Sequence, residues 1–312
     1  MVVRLPLEVE IYRSKDKLSI GKELTTRLER DENNSNTTPL FKRSAKNEKK
    51  LDLSFSLVAA QTLLWFRKAQ SLIEEEMESI AGSANEKGEV NPKMLPQKSE
   101  NLLQLYLDNQ DTWQEVCLVT KRNEVDGSSE TYVLNRPMAF TVSENLARLV
   151  LFGARSQMID SRIPVSQQNR YSKFLRAFEK SCAVYVGGPD RVEKQAVLIH
   201  GISGLEGAEE IAPGTGIYMG GLDAAIDGVL DGRYKPLDFR FFVGCHMYKD
   251  SGLDVAIHSH KYQPIACARS LALKQCIQLP KPLWHEVMEI CGGELREVSR
   301  LELMKRDDII QE

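Results

Sequence analysis

Residues that could bind a ligand lie at the ends of short apolar runs in the second half of the chain. Arg136 follows Asn135 and precedes a rigid proline, so its guanidinium could anchor a carboxylate or a phosphate. Gly187 and Gly188 end another apolar run, where glycines permit a turn or a close approach of the backbone to a ligand. A structural interpretation stays open: Arg136 could clamp a carbonyl or carboxylate of its own domain, and Asn135 could hydrogen-bond its own turn.

The predicted binding site is concave and takes a small anionic ligand or a peptide segment. Turn glycines and an arginine at strand ends favour such a site, because the arginine supplies charge and the glycines give access to backbone groups. On this hypothesis the protein is a non-enzymatic binding or regulatory module. The candidate residues are Asn135, Arg136, Gly187, Gly188, His200 and Gly244.

An enzymatic alternative uses His200 as a general base or Cys245 as a nucleophile. Separation along the sequence does not show whether either group has a partner within hydrogen-bond reach, so no catalytic residue is predicted. Ser203 lies between Gly201 and Gly204, but the second glycine comes one residue too early for a nucleophile elbow. We therefore expect this serine in an ordinary loop.

Metal and cofactor sites are not favoured by the spacing of the remaining candidate residues. Cys245, His246, His258 and His260 carry zinc-type donors, but Cys245 and His246 would point to opposite faces of a strand. The glycines of residues 214–220 resemble a dinucleotide-binding turn with one residue too many before the last glycine. We therefore predict neither a metal nor a cofactor.

The composition is typical of a globular protein, with 42% apolar and 27% charged residues among 312. A net charge of −3 argues against a nucleic-acid partner. Six cysteines are scattered singly, which indicates reduced thiols in a reducing compartment. No apolar stretch of the sequence is long enough to span a bilayer, and the acidic N-terminus does not fit a signal peptide. We expect a soluble intracellular protein, cytoplasmic, or in the plastid stroma if a transit peptide is missing upstream.

Hydrophobic patterning divides the chain into four segments. Residues 1–51 are predicted to be mostly flexible, residues 52–82 to form one long amphipathic helix, residues 83–100 to be a linker, and residues 101–312 to form an α/β domain. The helix must cover its apolar face, either on the domain or on another chain. The second possibility would make the protein an interaction subunit that works through this helix.

Local signals predict short elements within the domain. A turn at Asp126 and Gly127 is expected to join two strands into a hairpin, and residues 141–144 resemble a capping box that opens a helix. The predicted strands are residues 116–120, 131–134, 183–186, 196–199 and 238–243, with an edge strand over 262–268, and two further predicted helices are residues 222–230 and 282–291.

Six motifs, taken in order, resemble the YqgE/AlgH-like family over about residues 101–296. The residues at 216–218 and 238–242 are closer to plant and algal members than to bacterial ones. The motifs are YVLNRP at 132–137, VYVGGP at 184–189, VLIH at 197–200, GIYMG at 216–220, FRFFVG at 239–244, and LW at 283–284 in a helix that ends at 292.

The resemblance implies an α+β fold, in which a mixed, bifurcated and partly barrel-like sheet is surrounded by helices. The long helix of residues 52–82 then belongs to an N-terminal extension. The resemblance implies no activity, since the family's biochemical function is unsettled. After Gly244 the family usually continues with an aromatic residue, Gly-Trp and later Gln-Leu-Glu, whereas this chain has Cys245 and a different loop. A ligand bound at that loop would differ accordingly.

Overall fold

Two units make up the chain in this computed structural model, which describes residues 1–15, 17–34, 53–154, 163, 165–277 and 279–307. The first unit comprises residues 1–3, 115–257 and 263–284, and the second comprises residues 4–114, 258–262 and 285–312. The first unit therefore holds all six residues predicted to bind a ligand, and the second holds the long helix.

The described strands form two open sheets. The five-stranded sheet has the order β10-β3-β2-β1-β11, and the six-stranded sheet has the order β4-β5-β9-β6-β8-β7. Neither closes into a barrel within the described residues, so the α+β class is confirmed with two separate sheets in place of one partly barrel-like sheet. The strands are β1 Val2–Arg4, β2 Val116–Arg122, β3 Ser129–Val133, β4 Pro137–Ala139, β5 Val184–Val186, β6 Val197–His200, β7 Ala208–Glu210, β8 Tyr218–Gly220, β9 Phe239–Val243, β10 His246–Tyr248 and β11 Tyr262–Pro264.

The predicted hairpin is confirmed in β2 and β3, which pair antiparallel with Cys117 opposite Val133. In the turn, the Asp126 carboxylate accepts a hydrogen bond from the Ser128 N–H at 2.8 Å. An aspartate that satisfies a backbone donor two residues on is the usual reason for its preference in turns. The turn therefore lies where the sequence predicts it.

Strand β9 forms the centre of the first unit, because both of its faces are buried. It pairs parallel with β5 and antiparallel with β6. On one face, the ring of Phe241 packs edge-on against Phe178, with 5.0 Å between centroids. On the other, Phe242 stacks on Tyr185 and meets the edge of Tyr132 from β3. Side chains of a strand alternate between its two faces. One face of β9 therefore packs on the helices, and the other packs on β3 of the five-stranded sheet.

The helices account for most of the remaining described residues. The Ser143 hydroxyl caps α5 by accepting the Leu146 N–H at 3.3 Å, so the cap lies two residues later than the predicted capping box at 141–144. No helix among the described residues is long and apolar enough to cross a membrane. The helices are α1 Leu7–Arg13, α2 Ser19–Asn34, α3 Leu53–Gly82, α4 Gln97–Asp111, α5 Glu144–Phe152, α6 Val165–Phe178, α7 Leu222–Leu230, α8 Gly252–His258, α9 Arg269–Ala272, α10 Leu283–Cys291 and α11 Gly293–Asp307.

The second unit is helical, and α3 runs through its core. The long helix predicted over residues 52–82 is α3, and its side chains at Trp65, Ala69 and Leu72 are buried. The indole of Trp65 stacks on Tyr12 of α1, with 4.2 Å between ring centroids. The predicted apolar face is therefore covered within the chain. Residues 97–100, expected in a linker, begin α4, and residues 35–51 of the predicted flexible segment lie outside the described residues.

Arg4 is a fully buried charge of the second unit with a complete set of partners. Its guanidinium donates to Glu10 at 3.0 Å, to the Thr112 hydroxyl at 2.8 Å and to the Lys261 carbonyl at 2.9 Å. Asp108 adds an ion pair at 3.5 Å. A buried guanidinium satisfied in this way holds its neighbours in one arrangement, so Arg4 has a structural role.

Candidate functional site

Three of the predicted glycines meet where two stretches of backbone cross. The Gly187 N–H donates to the Val243 carbonyl at 2.8 Å, and the Gly187 carbonyl accepts from Val133 at 2.9 Å. A Cβ on Gly187 would lie 2.3 Å from the Gly244 carbonyl oxygen, and one on Gly244 would lie 2.2 Å from that of Gly188. The space beside these glycines is therefore filled by the chain's own backbone, which accounts for the residue type without a ligand.

Asn135 and Arg136 join the two sheets of the first unit. The Asn135 side-chain oxygen accepts the Val116 N–H at 2.9 Å. The Arg136 carbonyl accepts the Val186 N–H at 2.9 Å. The side-chain hydrogen bond of Asn135 supports the structural interpretation of that residue. The bond of Arg136 is made by its main chain, so the role of its guanidinium stays a prediction.

His200 is completely buried between two aromatic rings. Its imidazole stacks on Tyr218 and meets the edge of Phe239, with 5.9 and 5.5 Å between centroids. The Nδ1 atom accepts the Ile202 N–H at 3.1 Å. Burial lowers the pKa of His200, so the ring stays neutral near pH 7. The ring lines neither of the two cavities of the first unit that are described below, which does not favour a general base at this position.

Cys245 and the histidines do not form a metal centre within the described residues. No group of three or more His, Cys, Asp or Glu side chains in this part of the chain could hold a metal ion. Cys245 is 1% exposed, and burial together with the Glu130 charge raises its pKa to about 11. Its thiol is therefore protonated at neutral pH, which does not favour an activated nucleophile. His246 lies 3.4 Å from the Glu115 carboxylate, and His258 ends α8.

Gly244 and Cys245 do line a small cavity of about 150 Å³, which we name the basic chamber. Lys121 at the end of β2, and Arg191 and Lys194 in the loop between β5 and β6, supply its positive charge. Side chains of three strands form its apolar wall, Val197, Met219 and Phe242. The chamber is completed by Glu130, Tyr132 and Gln195.

Glu130 fixes one side of the chamber. Its carboxylate is nearly buried, with 5% of the residue exposed, and accepts from the Tyr132 hydroxyl at 2.7 Å and from Arg191 Nη1 at 2.6 Å. Burial and the adjacent carboxylate raise the pKa of Tyr132, so its hydroxyl remains a donor. Arg191 has a φ of 57°, a conformation that non-glycine residues rarely adopt. Such backbone persists only where its surroundings hold it, and it is common at binding sites.

Lys121 and Lys194 carry the uncompensated charge of the chamber. Both side chains are exposed, and neither makes a hydrogen bond or ion pair with the residues that the structure describes. The only carboxylate of the chamber, Glu130, already pairs with Arg191. Two ammonium groups therefore face the cavity without a counter-charge from its lining.

The chamber adjoins a wider cleft of about 860 Å³, with which it shares Lys121, Gln195, Val197 and Met219. This cleft is acidic. Asp223 pairs with Arg170 at 2.6 Å, and the Glu210 carboxylate accepts the Gly216 N–H at 2.6 Å. Glu206 and Glu209 have no partner among the described residues. The chamber lining thus carries an excess of positive charge, and the cleft lining beside it carries an excess of negative charge.

A family model described as DUF179, AlgH-like, matches residues 102–296, which is more than half of the chain. The chain belongs to the AlgH-like family. The resemblance recognised from the six motifs is thereby confirmed over almost the same residues. No curated protein matches the chain.

Two solved structures are similar to part of this AlgH-like chain. The AlgH protein of Pseudomonas aeruginosa, solved in solution, is 15% identical with a TM-score of 0.35, and the match covers 53% of this chain and 74% of that one. A crystal structure of a protein from Corynebacterium diphtheriae is 16% identical with a TM-score of 0.39, and covers 60% of this chain and 82% of that one.

The charged residues of the chamber were not predicted from the sequence. Lys121, Arg191 and Lys194 are ordinary surface residue types when read one at a time. One signal was available: Glu130 immediately precedes the predicted strand 131–134 and Tyr132 lies within it, so strand alternation places a carboxylate and a phenol on one face. In this AlgH-like domain, both residues line the chamber.

Proposed function

We propose that this AlgH-like protein is a binding module that takes a small anionic ligand in the basic chamber. The observation that carries the proposal is the pair of unpartnered ammonium groups, Lys121 and Lys194, beside an Arg191 held in place by Glu130. An anion between them would gain charge-assisted hydrogen bonds without displacing an existing ion pair. On this proposal Arg191, in place of Arg136, supplies the guanidinium that anchors the ligand. Gly244 lines the chamber.

The size of the chamber limits the ligand group. A cavity of 150 Å³ has the volume of about five water molecules at ~30 Å³ each. A phosphate or a carboxylate group fits this space, whereas a nucleotide would have to extend into the adjoining cleft. The acidic lining of that cleft disfavours a second anionic group there and favours a neutral or cationic remainder.

Glu130 supports binding by orienting Arg191. One Nη of the guanidinium is bonded to the carboxylate, and the other nitrogens keep N–H donors for a ligand. A guanidinium fixed before the ligand arrives loses less side-chain entropy on binding. The protonated Cys245 thiol and the buried His200 add no acid or base to the chamber, so the geometry supports binding rather than reaction.

Isothermal titration of the full chain with inorganic phosphate, and separately with small mono- and dicarboxylates, tests the proposal. We expect Lys121→Ala and Lys194→Ala each to weaken binding by about tenfold, since a hydrogen bond to a charged group contributes ~1.5–3 kcal/mol. Lys180→Ala removes the same charge from an exposed position outside the chamber and should leave the affinity unchanged. Equal affinity in all three variants would show that the chamber does not bind the anion.

A further inference from the structure

Arg240 is a further cation of the first unit that has no partner among the described residues. It lies in the middle of β9 and is 7% exposed. Its guanidinium makes no hydrogen bond or ion pair with any residue in the described part of the chain. The Nε atom is entirely buried. A buried Nε–H group left without an acceptor is costly, because it has lost its hydrogen bond to water and gained none in return.

The polar groups that interact electrostatically with Arg240 are hydrogen-bonded to other residues. The Tyr185 hydroxyl donates to the Gln275 side-chain oxygen at 2.8 Å and accepts the Cys276 N–H at 3.2 Å. Gln275 in turn donates to the Leu237 carbonyl at 2.5 Å. The Asp238 carboxylate makes no ion pair with Arg240 and accepts the Lys235 N–H at 2.8 Å. None of these hydrogen bonds involves the guanidinium.

Arg4 is a buried arginine whose donors are paired. It is even more deeply buried than Arg240, yet Glu10, Asp108 and Thr112 satisfy its donors. At Arg240 the N–H donors of the guanidinium find no acceptor among the described residues and remain available to a ligand.

We propose that Arg240 anchors a second anion site, separate from the basic chamber, that takes a carboxylate or phosphate group. A guanidinium presents parallel N–H donors that match two oxygens of such a group. The residual exposure of Arg240, 7% of the residue, leaves a path to solvent. Arg240 does not line the chamber, so the two sites are separate.

Thermal unfolding in sodium phosphate and in sodium chloride, at matched ionic strength and pH, tests this site. The parent protein is the Lys121→Ala/Lys194→Ala double variant, which removes the response of the chamber. We expect this parent to melt several degrees higher in phosphate than in chloride, because a ligand that binds only the folded state stabilises it. Adding Arg240→Met should abolish that difference and should not lower the melting temperature in chloride. Adding Arg233→Met, an exposed control, should change neither.

Several outcomes overturn the proposal. The first is a phosphate response that survives Arg240→Met. The second is an Arg240→Met variant that melts several degrees lower in chloride, which would give Arg240 a structural role. If the variant does not fold, the Nε–H resonance of Arg240 in the ¹H–¹⁵N spectrum of the wild-type chain decides: phosphate should shift it, and an unchanged resonance contradicts the site. A phosphate response lost in the double variant itself would support the chamber alone and overturn this second site.

Discussion

The Glu130 carboxylate holds the Arg191 guanidinium at 2.6 Å while it accepts the Tyr132 hydroxyl at 2.7 Å. The carboxylate thus links its strand neighbour Tyr132 to the distant loop residue Arg191 in the lining of the basic chamber. Glu130 is nearly buried, whereas Arg191 keeps 40% of its side chain exposed. The ion pair alone therefore contributes little to stability, and its main effect is to set the direction of Arg191.

Removing the shared acceptor should destabilise the fold. Glu130→Ala leaves the buried Tyr132 hydroxyl without its partner, and we expect the free energy of unfolding to fall by ~1–3 kcal/mol. Tyr132→Phe removes the hydroxyl itself and should cost only about 1 kcal/mol. Urea unfolding of the two single variants and the double variant measures the coupling between them. Strictly additive losses would show that the two groups act independently.

The backbone crossing at Gly244 should not tolerate a side chain. Gly244→Ala would place a methyl group 2.2 Å from the Gly188 carbonyl, at a φ of 71°. Gly204 has a similar φ of 73° but has open space around it, so Gly204→Ala measures the cost of the conformation alone, ~1–3 kcal/mol. We expect Gly244→Ala to be clearly less stable than Gly204→Ala in urea unfolding. Equal losses of unfolding free energy in the two variants would mean that the two backbone segments can move apart to accommodate the methyl group.

His200 should make stability depend on pH. Burial lowers its pKa in the folded state below the ordinary 6.5, so the unfolded chain binds the proton more readily. Stability from this group is therefore complete above about pH 6.5 and falls as the pH drops through 6.5 toward the lowered value. Unfolding free energies measured between pH 5 and 8 should show a smaller slope for His200→Phe than for the wild type. Parallel curves would contradict the burial of a neutral imidazole.

Thiol reactivity should distinguish the cysteines. Cys291 is exposed, whereas Cys245 is 1% exposed with a pKa of about 11. We expect a thiol reagent at pH 7.5 to label Cys291 in the native protein and to reach Cys245 only after unfolding. Mass spectrometry of labelled peptides reads out both sites in one experiment. Rapid native labelling of Cys245 would restore the hypothesis of a nucleophile there.

Short-range sequence patterns predicted those turns, helices and strands that depend mainly on neighbouring residues. The turn at Asp126 and Gly127, helix α7 and strand β9 lie where composition and periodicity place them. Helices α1 and α2 were not predicted, because their apolar residues are covered by α3 and α4, which are distant in sequence. Patterning in so short a segment does not reveal such a partner.

The basic chamber could not be predicted in the same way. Lys121 and Glu130 come from one hairpin, whereas Arg191 and Gly244 come from loops that follow β5 and β9. These four residues meet only after β5 pairs with β9 and both sheets are in place. Sequence motifs drew attention to Arg136 and to the glycines, which position the backbone next to the chamber. The charges that line the chamber follow from tertiary structure.

A crystal structure of the full chain soaked in selenate tests anion binding in the chamber, because the anomalous scattering of this anion locates it without ambiguity. We expect an anomalous peak inside the chamber, within hydrogen-bond distance of Lys121 or Lys194 and of Arg191. A chamber filled by water alone, in crystals where it is open to solvent, would show that it is not an anion site.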